Sequence, residues 1–323
     1  MENVLRSLAE RQTGCRIVMN IAVSTHWNAH RHADGKALVE EILAAGFDRI
    51  EAGYNTVSEQ LFGIRQMHEQ KKITVSSLHN FCPVPAGAPL GHPELYTLAD
   101  PRHRIRQSAV MHTINTIRNA AELQAGYVVV HAGNTLMRPK TPKLIKLAQA
   151  VKQDTARYLR IKNKLLLERA KKAPQQIDLL KKSIDALLPV LQEHKVTLAF
   201  ENLPSCEALP NAEEMEQLFT AFDSPHIGYW HDTGHASILE NLGLASHLEE
   251  LRRLEPWLKG MHLHDVLPPA SDHLPPGTGS IDFKAFSDIM RKGIELVIEP
   301  APGTPVSAII AARSFLLTCL TTH

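Results

Sequence analysis

Short apolar runs rich in β-branched residues alternate along the chain with longer stretches whose apolar residues recur at helical spacing. Eight such runs predict strands, at 16–24, 49–54, 74–81, 127–133, 197–202, 226–231, 260–266 and 296–299. A helix is predicted after each strand, at 36–45, 57–70, 102–125, 142–194 (broken), 211–222, 246–258, 283–292 and 304–319. A strand followed by a helix, eight times over, predicts an α/β fold of the (βα)8 TIM barrel type.

No internal repeat and no low-complexity linker interrupts this alternation, so residues 1–323 are predicted to form a single barrel domain. The length of 323 residues is ordinary for such a barrel. A doubly wound open sheet is the alternative architecture. That alternative would not explain why polar residues cluster at the ends of the predicted strands.

Two segments are longer than a minimal barrel needs. The first is a proline-rich loop at 81–101, after the third strand. The second, 135–195, follows the fourth strand and holds 15 Lys or Arg against 5 Asp or Glu, a net charge near +10. The sequence KKAPQQ is predicted to break it into a basic helical hairpin beside the mouth of the barrel. Two interpretations of this hairpin stay open. It could be a solvated helix face or a contact between subunits, or it could be a docking surface for a phosphate-bearing substrate, possibly nucleic acid.

Overall charge and cysteine spacing narrow the class of protein. The formal net charge is +1, so no global signature of polyanion binding is present. The cysteines lie far apart without a CxxC pair, which is typical of reduced thiols: Cys15, Cys82, Cys206 and Cys319. The first fifteen residues are charged and predict a short helix rather than a signal peptide. No apolar run reaches the ~18 residues of a membrane span, and we expect a cytoplasmic protein, with homo-oligomers left open.

Seven of the eight predicted strands end in a side chain that can bind a metal ion: Glu51, His79, His131, Glu201, Asp232, His262 and Glu299. In a barrel all strand ends meet at one mouth, where active sites are found. Carboxylates and imidazoles gathered there would repel one another or titrate unless a cation lies between them. Mixed His, Asp and Glu donors favour Zn²⁺ or Mn²⁺, with Mg²⁺ or Co²⁺ as alternatives.

Three residues near these strand ends have more than one interpretation. Glu51 could bind the metal or could orient a histidine ligand from behind. His264 is predicted to point to the face opposite His262 and to be structural. Asp265 either caps the following loop or orients His262.

The motifs around these residues resemble the xylose isomerase-like barrels, which include sugar isomerases, sugar epimerases and endonuclease IV. The matching pieces follow in order over nearly the whole chain: ENLP at 201–204, HDTGHA at 231–236, GMHLHD at 260–265, HLPPGTGSIDF at 273–283 and IEP at 298–300. The segments HNFCPVP and VVVHAG are similar to those of proteins described only as sugar phosphate isomerase/epimerase.

The resemblance to the sugar epimerases implies one metal ion with four ligands: Glu201, Asp232, His262 and Glu299. Glu201 and Glu299 would also be the catalytic groups, moving a proton through a metal-stabilised enediolate. The expected substrate is a small carbohydrate or its phosphate. The residues expected to bind it are His235, His273, Glu51, His26 and Trp27, with His131 as a further candidate.

The resemblance to endonuclease IV implies three zinc ions and a phosphodiesterase acting on abasic DNA. His79 and His131 match the additional histidine ligands on strands three and four, and His273 matches the last ligand. An aspartate two residues before that histidine would fall on Ser271, with Asp272 displaced by one, and this departure counts against the third zinc ion but not the first two. Sugar chemistry is therefore the first hypothesis and nucleic acid the less favoured partner. A structural metal site or a lyase is the third hypothesis.

Overall fold

The computed structural model describes residues 21–321, and within them eight parallel strands close into a barrel. In chain order the strands are β1 Ile21–Ser24, β2 Arg49–Ala52, β3 Thr74–His79, β4 Tyr127–Val130, β5 Thr197–Glu201, β6 Ile227–Asp232, β7 Leu258–Leu263 and β8 Glu295–Ile298. Each strand pairs with its neighbours along the chain, and β1 closes the ring by pairing with β8. The predicted α/β barrel is confirmed.

Successive side chains along each strand point alternately to the outside and to the inside of the barrel. Outward residues pack in the main core against the surrounding helices, as Leu198 and Phe200 of β5 do. Inward residues form a smaller cluster around one large side chain, and its members are Ala22, Val129, Ala199, Trp230 and Val297. Because one face recurs every second residue, the positions two residues further along each strand point into the mouth.

Ten α-helices surround the strands in residues 21–321. They are α1 Gly35–Ala44, α2 Ser58–Glu69, α3 His103–Glu122, α4 Thr141–Gln149, α5 Ala156–His194, α6 Ala212–Phe222, α7 Thr233–Asn241, α8 His247–Leu254, α9 Ser287–Met290 and α10 Val306–Thr321. Side-chain caps begin several of them, such as Asn211, which accepts from the backbone N–H of Glu214 in a capping box at α6. Helix α7 was not predicted, because its HDTGHA sequence lacks an apolar period.

The break predicted at KKAPQQ is wrong. Helix α5 runs without interruption through Pro174, and the chain turns earlier, between α4 and α5. Proline removes one backbone hydrogen bond, but tertiary contacts around it hold the helix together. Gln176 is buried, donates to the Asn134 carbonyl and accepts from the Leu136 N–H. A helical pair therefore follows β4, with its turn at 150–155.

Two short antiparallel ribbons extend the mouth of the barrel. Gly133–Asn134 pairs with Ala208–Leu209, and Asp265–Leu267 pairs with Ser271–Leu274. The second ribbon carries His273 back over the strand ends. Asp265 fixes the loop that follows it, because its carboxylate accepts the backbone N–H groups of 277, 279 and 281. Of the two interpretations of Asp265, capping the loop is the one observed.

Several local predictions can be compared with the structure. Gly46 and Gly293 adopt positive φ after helices, whereas at the third helix end Gln124, not Gly126, has φ of 56°. Cys82, Cys206 and Cys319 are free thiols. Cys15, the N-terminal helix and the first part of strand one lie outside the described residues. Within 21–321 no helix is both long and apolar enough to cross a membrane.

Gly260 gives a test of the packing inside the barrel. A Cβ at this position would lie 2.4 Å from the Trp230 ring and 2.9 Å from the Glu295 carbonyl oxygen. Gly260→Ala should therefore lower the free energy of unfolding by about 1–3 kcal/mol, measured by urea titration. Gly126→Ala is the control, because no atom lies within 4 Å of its Cβ position, and it should change stability by under about 0.5 kcal/mol. Equal stability of the two variants would contradict the described packing.

Candidate metal centre

Four side chains meet at the mouth, each two residues beyond an inward position of its strand. One donor atom from each of Glu201, Asp232, His262 and Glu299 lies within 4.8 Å of the other three. All four side chains are buried. The strands β5 to β8 thus bring together the four residues that the resemblance implies as metal ligands.

His262 is oriented by Glu51 from behind. Its Nε2 lies 3.0 Å from Glu51 Oε2, which also accepts from the Ser77 hydroxyl at 2.9 Å. Its Nδ1 lies 3.2 Å from Glu201 Oε1 and 3.4 Å from Glu299 Oε2. A carboxylate on one ring nitrogen leaves the other nitrogen for a metal ion. Glu51 therefore lies behind His262, in the orienting position, and its predicted contact with substrate stays a prediction.

His264 makes the corresponding contact with Asp232. Its Nε2 lies 2.9 Å from Asp232 Oδ1, and its Nδ1 accepts the backbone N–H of His273 at 2.9 Å. The prediction that His264 points away from His262 is wrong, because residues two apart in a strand share a face. Gly234 makes this arrangement possible, since a Cβ there would lie 1.9 Å from the His264 ring.

The main chain of Asp232 is also fixed. Its carboxylate caps α7 by accepting the His235 N–H at 2.6 Å. The side chain of Asn202 accepts from the Asp232 N–H at 2.7 Å and donates to the Asp232 carbonyl at 2.9 Å. The hydroxyl of Tyr229 donates to the same Asn202 oxygen. Asp232 is thus held by both its backbone and its carboxylate.

Glu201 faces two sets of donors. Its Oε1 belongs to the four-residue cluster, while its Oε2 lies 3.1 Å from His79 Nε2 and 3.1 Å from His131 Nε2. His79 is buried and His131 is partly exposed at the mouth. The structure therefore places both predicted histidines beside a predicted ligand, on the side away from Asp232.

Comparison with known proteins agrees with the barrel fold. The family model described as "xylose isomerase-like TIM barrel" matches residues 39–316. The chain belongs to this family. No curated protein sequence matches the chain.

Solved structures with the same fold include a D-tagatose 3-epimerase-like protein, at 18% identity and a TM-score of 0.66, covering 94% of this chain and 97% of that one. D-psicose 3-epimerase from Clostridium cellulolyticum H10 is 15% identical with a TM-score of 0.65, covering 94% and 100%. The IolI protein with a bound zinc atom is 14% identical with a TM-score of 0.62, covering 94% and 98%. At these identities the similarity shows the fold.

Charge at the centre of this xylose isomerase-like barrel follows from burial and from the crowding of carboxylates. Burial lowers the pKa of His262, but Glu299, Glu51 and Glu201 outweigh it and raise the pKa well above its usual value. Burial likewise opposes protonation of His131, yet Glu201 and Glu94 raise its pKa to about 9. Burial would raise the pKa of Glu201, but His262 and His131 hold it well below its usual value. The carboxylates thus hold positive charge at the centre.

Further side chains line the approach to these groups. His235 Nδ1 lies 3.0 Å from the Asn202 carbonyl, which leaves its Nε2 free of that bond. His273 stacks on His264 at 4.2 Å between ring centroids, and its Nε2 lies 3.9 Å from Glu299 Oε2. His273 has φ of 53°, a left-handed conformation uncommon for a side chain of this size. Such strain is typical of functional sites.

The two residues predicted to form a wall after strand one differ. The His26 ring lies 4.8 Å from Tyr54 and 6.3 Å from His273, beside the mouth. Burial lowers the pKa of His26 to about 4, only partly offset by Glu299. Trp27 is fully buried, and its indole N–H donates to the Thr304 carbonyl at 2.7 Å. Trp27 thus anchors the loop after β8, and its predicted contact with substrate stays a prediction.

The sequence did not single out Tyr54 or Glu94. The Tyr54 ring packs edge-on against His79 at 5.1 Å. Glu94, from the proline-rich loop, lies 3.8 Å from His131 Nδ1 and accepts from the Asn134 amide. Tyr54 lies at the end of the strand predicted at 49–54, close to Glu51, and this position could have identified it as a residue of the mouth. Glu94 had none, because the path of a long loop is not encoded in strand periodicity.

Three histidines lie where the resemblance to endonuclease IV implies a third metal site. His235, His264 and His273 have ring nitrogens within 4.8 Å of one another. However, His264 uses one nitrogen for Asp232 and the other for the backbone of His273. The residue at the expected aspartate position, Ser271, is exposed at the edge of the ribbon. His235 Nδ1 faces the Asn202 carbonyl, and His273 Nδ1 lies 3.5 Å from Asp272 Oδ2, so the nearest carboxylate is displaced by one residue from the expected position.

The hydrogen bond from Glu51 to His262 predicts a measurable effect on metal binding. Glu51→Gln should weaken the affinity for Mn²⁺ or Zn²⁺ by about 10- to 100-fold. An amide orients the ring less well than a carboxylate does, and it raises the basicity of the ligating nitrogen less. Isothermal titration of chelator-treated protein would measure this change. Glu59→Gln, at an exposed position of α2, is the control. Unchanged affinity in Glu51→Gln would show that His262 is not a ligand through Nδ1.

Proposed function

We propose that this chain is a divalent-metal-dependent isomerase or epimerase acting on a sugar or sugar phosphate. The observation that carries the proposal is the convergence of three carboxylates on His262 Nδ1 at the barrel mouth. The solved structures of the same fold that bear the names of sugar 3-epimerases support it.

The donor set fits a divalent cation. Glu201, Asp232 and Glu299 offer three anionic oxygens, and His262 offers one nitrogen whose partner nitrogen is already bound to Glu51. Mixed oxygen and nitrogen donors suit Zn²⁺ or Mn²⁺. When bound, the ion would hold a hydroxyl and the neighbouring carbonyl oxygen of the sugar and make the carbon between them more acidic.

Glu299 is the better placed of the two carboxylates to act as a base. Its Oε2 faces His262 and His273, while its Oε1 has no hydrogen bond to another described residue. A general base must keep a lone pair that can reach the substrate proton. Glu299 can therefore direct Oε2 toward the ion and use Oε1 to accept the proton.

Glu201 has the complementary role on the other side of the centre. Its Oε2 is held between His79 and His131, and His131 reaches the solvent at the mouth. A proton taken up by Glu201 can pass to His131 and leave the centre. Two carboxylates on separate strands, β5 and β8, can then serve opposite faces of one carbon.

Hydroxyl groups of the substrate have several candidate partners. His235, His273 and His26 surround the mouth, and the Tyr54 hydroxyl lies 3.4 Å from His26 Nε2. An imidazole donates hydrogen bonds in either charge state and also accepts them when neutral, which suits hydroxyl recognition. Burial raises the pKa of Tyr54, so its phenol keeps its proton.

Deuterium exchange tests this reaction without knowledge of the product. Chelator-treated protein reloaded with Mn²⁺ and mixed with a panel of ketoses in D2O should place deuterium on the carbon beside the carbonyl of its substrate. Glu299→Gln and Glu201→Gln should each slow this exchange by roughly 10²- to 10⁴-fold while retaining the fold by circular dichroism.

Glu213→Gln, at an exposed position of α6, is the control and should exchange at the rate of the unchanged protein. An equal rate in Glu299→Gln would remove Glu299 from proton transfer. No exchange with any ketose or aldose in the panel would contradict the proposed chemistry.

A zinc phosphodiesterase is the second candidate, and one observation favours it. His79 and His131 both lie 3.1 Å from Glu201 Oε2, an arrangement that could hold a second ion. A metal pair can stabilise both the attacking and the leaving oxygen of a phosphodiester. The missing carboxylate at Ser271 stands against this candidate.

Metal content per chain separates the two candidates. Elemental analysis of protein purified without chelators should find about one exchangeable divalent ion per chain if the four ligands form the complete centre. His273→Ala should then leave that content unchanged. Two or three tightly held zinc ions, together with cleavage of abasic-site DNA, would instead establish the phosphodiesterase.

A further inference from the structure

A second cavity lies outside the barrel wall, behind the strand ends of β5 and β6. Its volume is about 330 Å³, at the lower end of the range of small-molecule sites. Helices α5, α6, α7 and α8 and the loop after β5 surround it. Its walls are mainly apolar and are formed by Leu166, Leu203, Met215, Leu239, Leu244 and Leu254. This cavity contains none of the four candidate metal ligands.

Most polar side chains that line this cavity already have partners. Arg169 binds both carboxylate oxygens of Glu214 and the Ala208 carbonyl. Tyr229 donates to Asn202, and Asn202 in turn holds the backbone of Asp232. These groups therefore offer little free hydrogen-bonding capacity to a molecule that entered the cavity.

Glu250 differs from them. Its carboxylate lines the cavity but has no hydrogen bond or ion pair with another residue of 21–321. The charged residue that most affects it, Arg253, pairs with Glu216. Among the described lining residues, Glu250 is thus the one charged side chain without a partner.

Glu250 lies close enough to two other lining groups to affect them. Burial first, and then the charge of Glu250, raise the pKa of the Tyr229 hydroxyl. Burial chiefly, and Glu250 in part, also raise the pKa of the Cys206 thiol. All three residues line the cavity, and Glu250 itself is half-buried, with a pKa that burial raises.

A half-buried carboxylate beside apolar walls is less well solvated than one in open water, and a positively charged partner in the cavity would offset that loss. We propose that this cavity is a second ligand site, which binds a small organic ammonium ion with its cationic group on Glu250 and its apolar body against the leucine side chains. The volume admits an aromatic ring or a short alkyl chain. Because the walls are apolar, a metal ion alone would not fit this chemistry.

The position of this site gives the ligand a route to the centre. Asn202 and Tyr229 line the cavity on one side and hold Asp232 on the other. A bound ammonium ion would therefore contact the residues that fix a candidate metal ligand. The proposal itself concerns binding and does not depend on the reaction proposed for the barrel mouth.

Benzylammonium is a suitable probe, with benzyl alcohol as its uncharged analogue. Titration of the full chain at pH 8, followed by calorimetry or protein NMR, should show saturable binding of benzylammonium. Benzyl alcohol should bind roughly tenfold more weakly or not at all, because it lacks the charge that pairs with Glu250.

Glu250→Gln should weaken benzylammonium binding by roughly tenfold. It should also unfold at an equal or higher temperature, because it removes a half-buried charge that has no partner among residues 21–321. A residue with a merely structural role would lower the unfolding temperature instead. Glu249→Gln is the matched control on the same helix, since Glu249 is exposed, and it should bind the probe like the unchanged protein.

Ala170→Phe gives a second, independent variant. Ala170 lines the cavity from an exposed position of α5, so a phenyl ring there should occupy the space while the helix remains folded. This variant should also lose benzylammonium binding. Absence of binding to the unchanged protein, or equal binding by Glu250→Gln, would overturn the proposal.

Discussion

The rest of the structure depends on the meeting of like charges at one end of the barrel. Glu201, Asp232 and Glu299 place carboxylate oxygens within 4.8 Å of one another and out of contact with bulk water. Such a group is stable only where positive charge lies beside it. The parallel strands that carry these residues are joined by backbone hydrogen bonds, so the carboxylates cannot separate by small movements. The fold thus keeps a place for a cation.

The surrounding residues fix the orientation of the side chains in this cluster. Glu51 binds one nitrogen of His262 and leaves the other toward the carboxylates, while His264 and Asn202 hold Asp232. Each contact comes from a different strand or loop. The geometry of the donors is therefore a property of the closed barrel, because an open sheet would separate β2 from β7. Even Gly234 and Gly260 serve this arrangement, by leaving room for His264 and Trp230.

Much of the fold and of this centre could be predicted from the sequence, because both follow from alternation in strands. A polar residue at the end of an apolar run points into the mouth, which predicted that the seven strand-end residues meet there. The choice of the four residues of β5 to β8 among them came from the family resemblance. Where the apolar residues have no regular spacing, the sequence predicted the structure poorly. Helix α7, the continuity of α5 through Pro174 and the position of Glu94 depend on contacts between distant segments. The hydrogen bond from Trp27 to the Thr304 carbonyl could not be predicted for the same reason, because Thr304 lies in the loop after the last strand.

Sequence pattern also fails to distinguish the two oxygens of Glu201, and the reaction depends on that distinction. Oε1 belongs to the four-ligand group, while Oε2 lies between His79 and His131. A second ion could bind there only if both histidines gave up any proton on the nitrogen facing Glu201. Glu201 and Glu94 raise the pKa of His131 to about 9 against the effect of burial, as carboxylates also raise the pKa of His262. A cation bound among the carboxylates would oppose both effects, because it takes the place of the proton as their positive partner. Proton transfer through His131 and a second ion at Glu201 are therefore alternative uses of the same nitrogens, and this choice separates the sugar chemistry from phosphodiester cleavage.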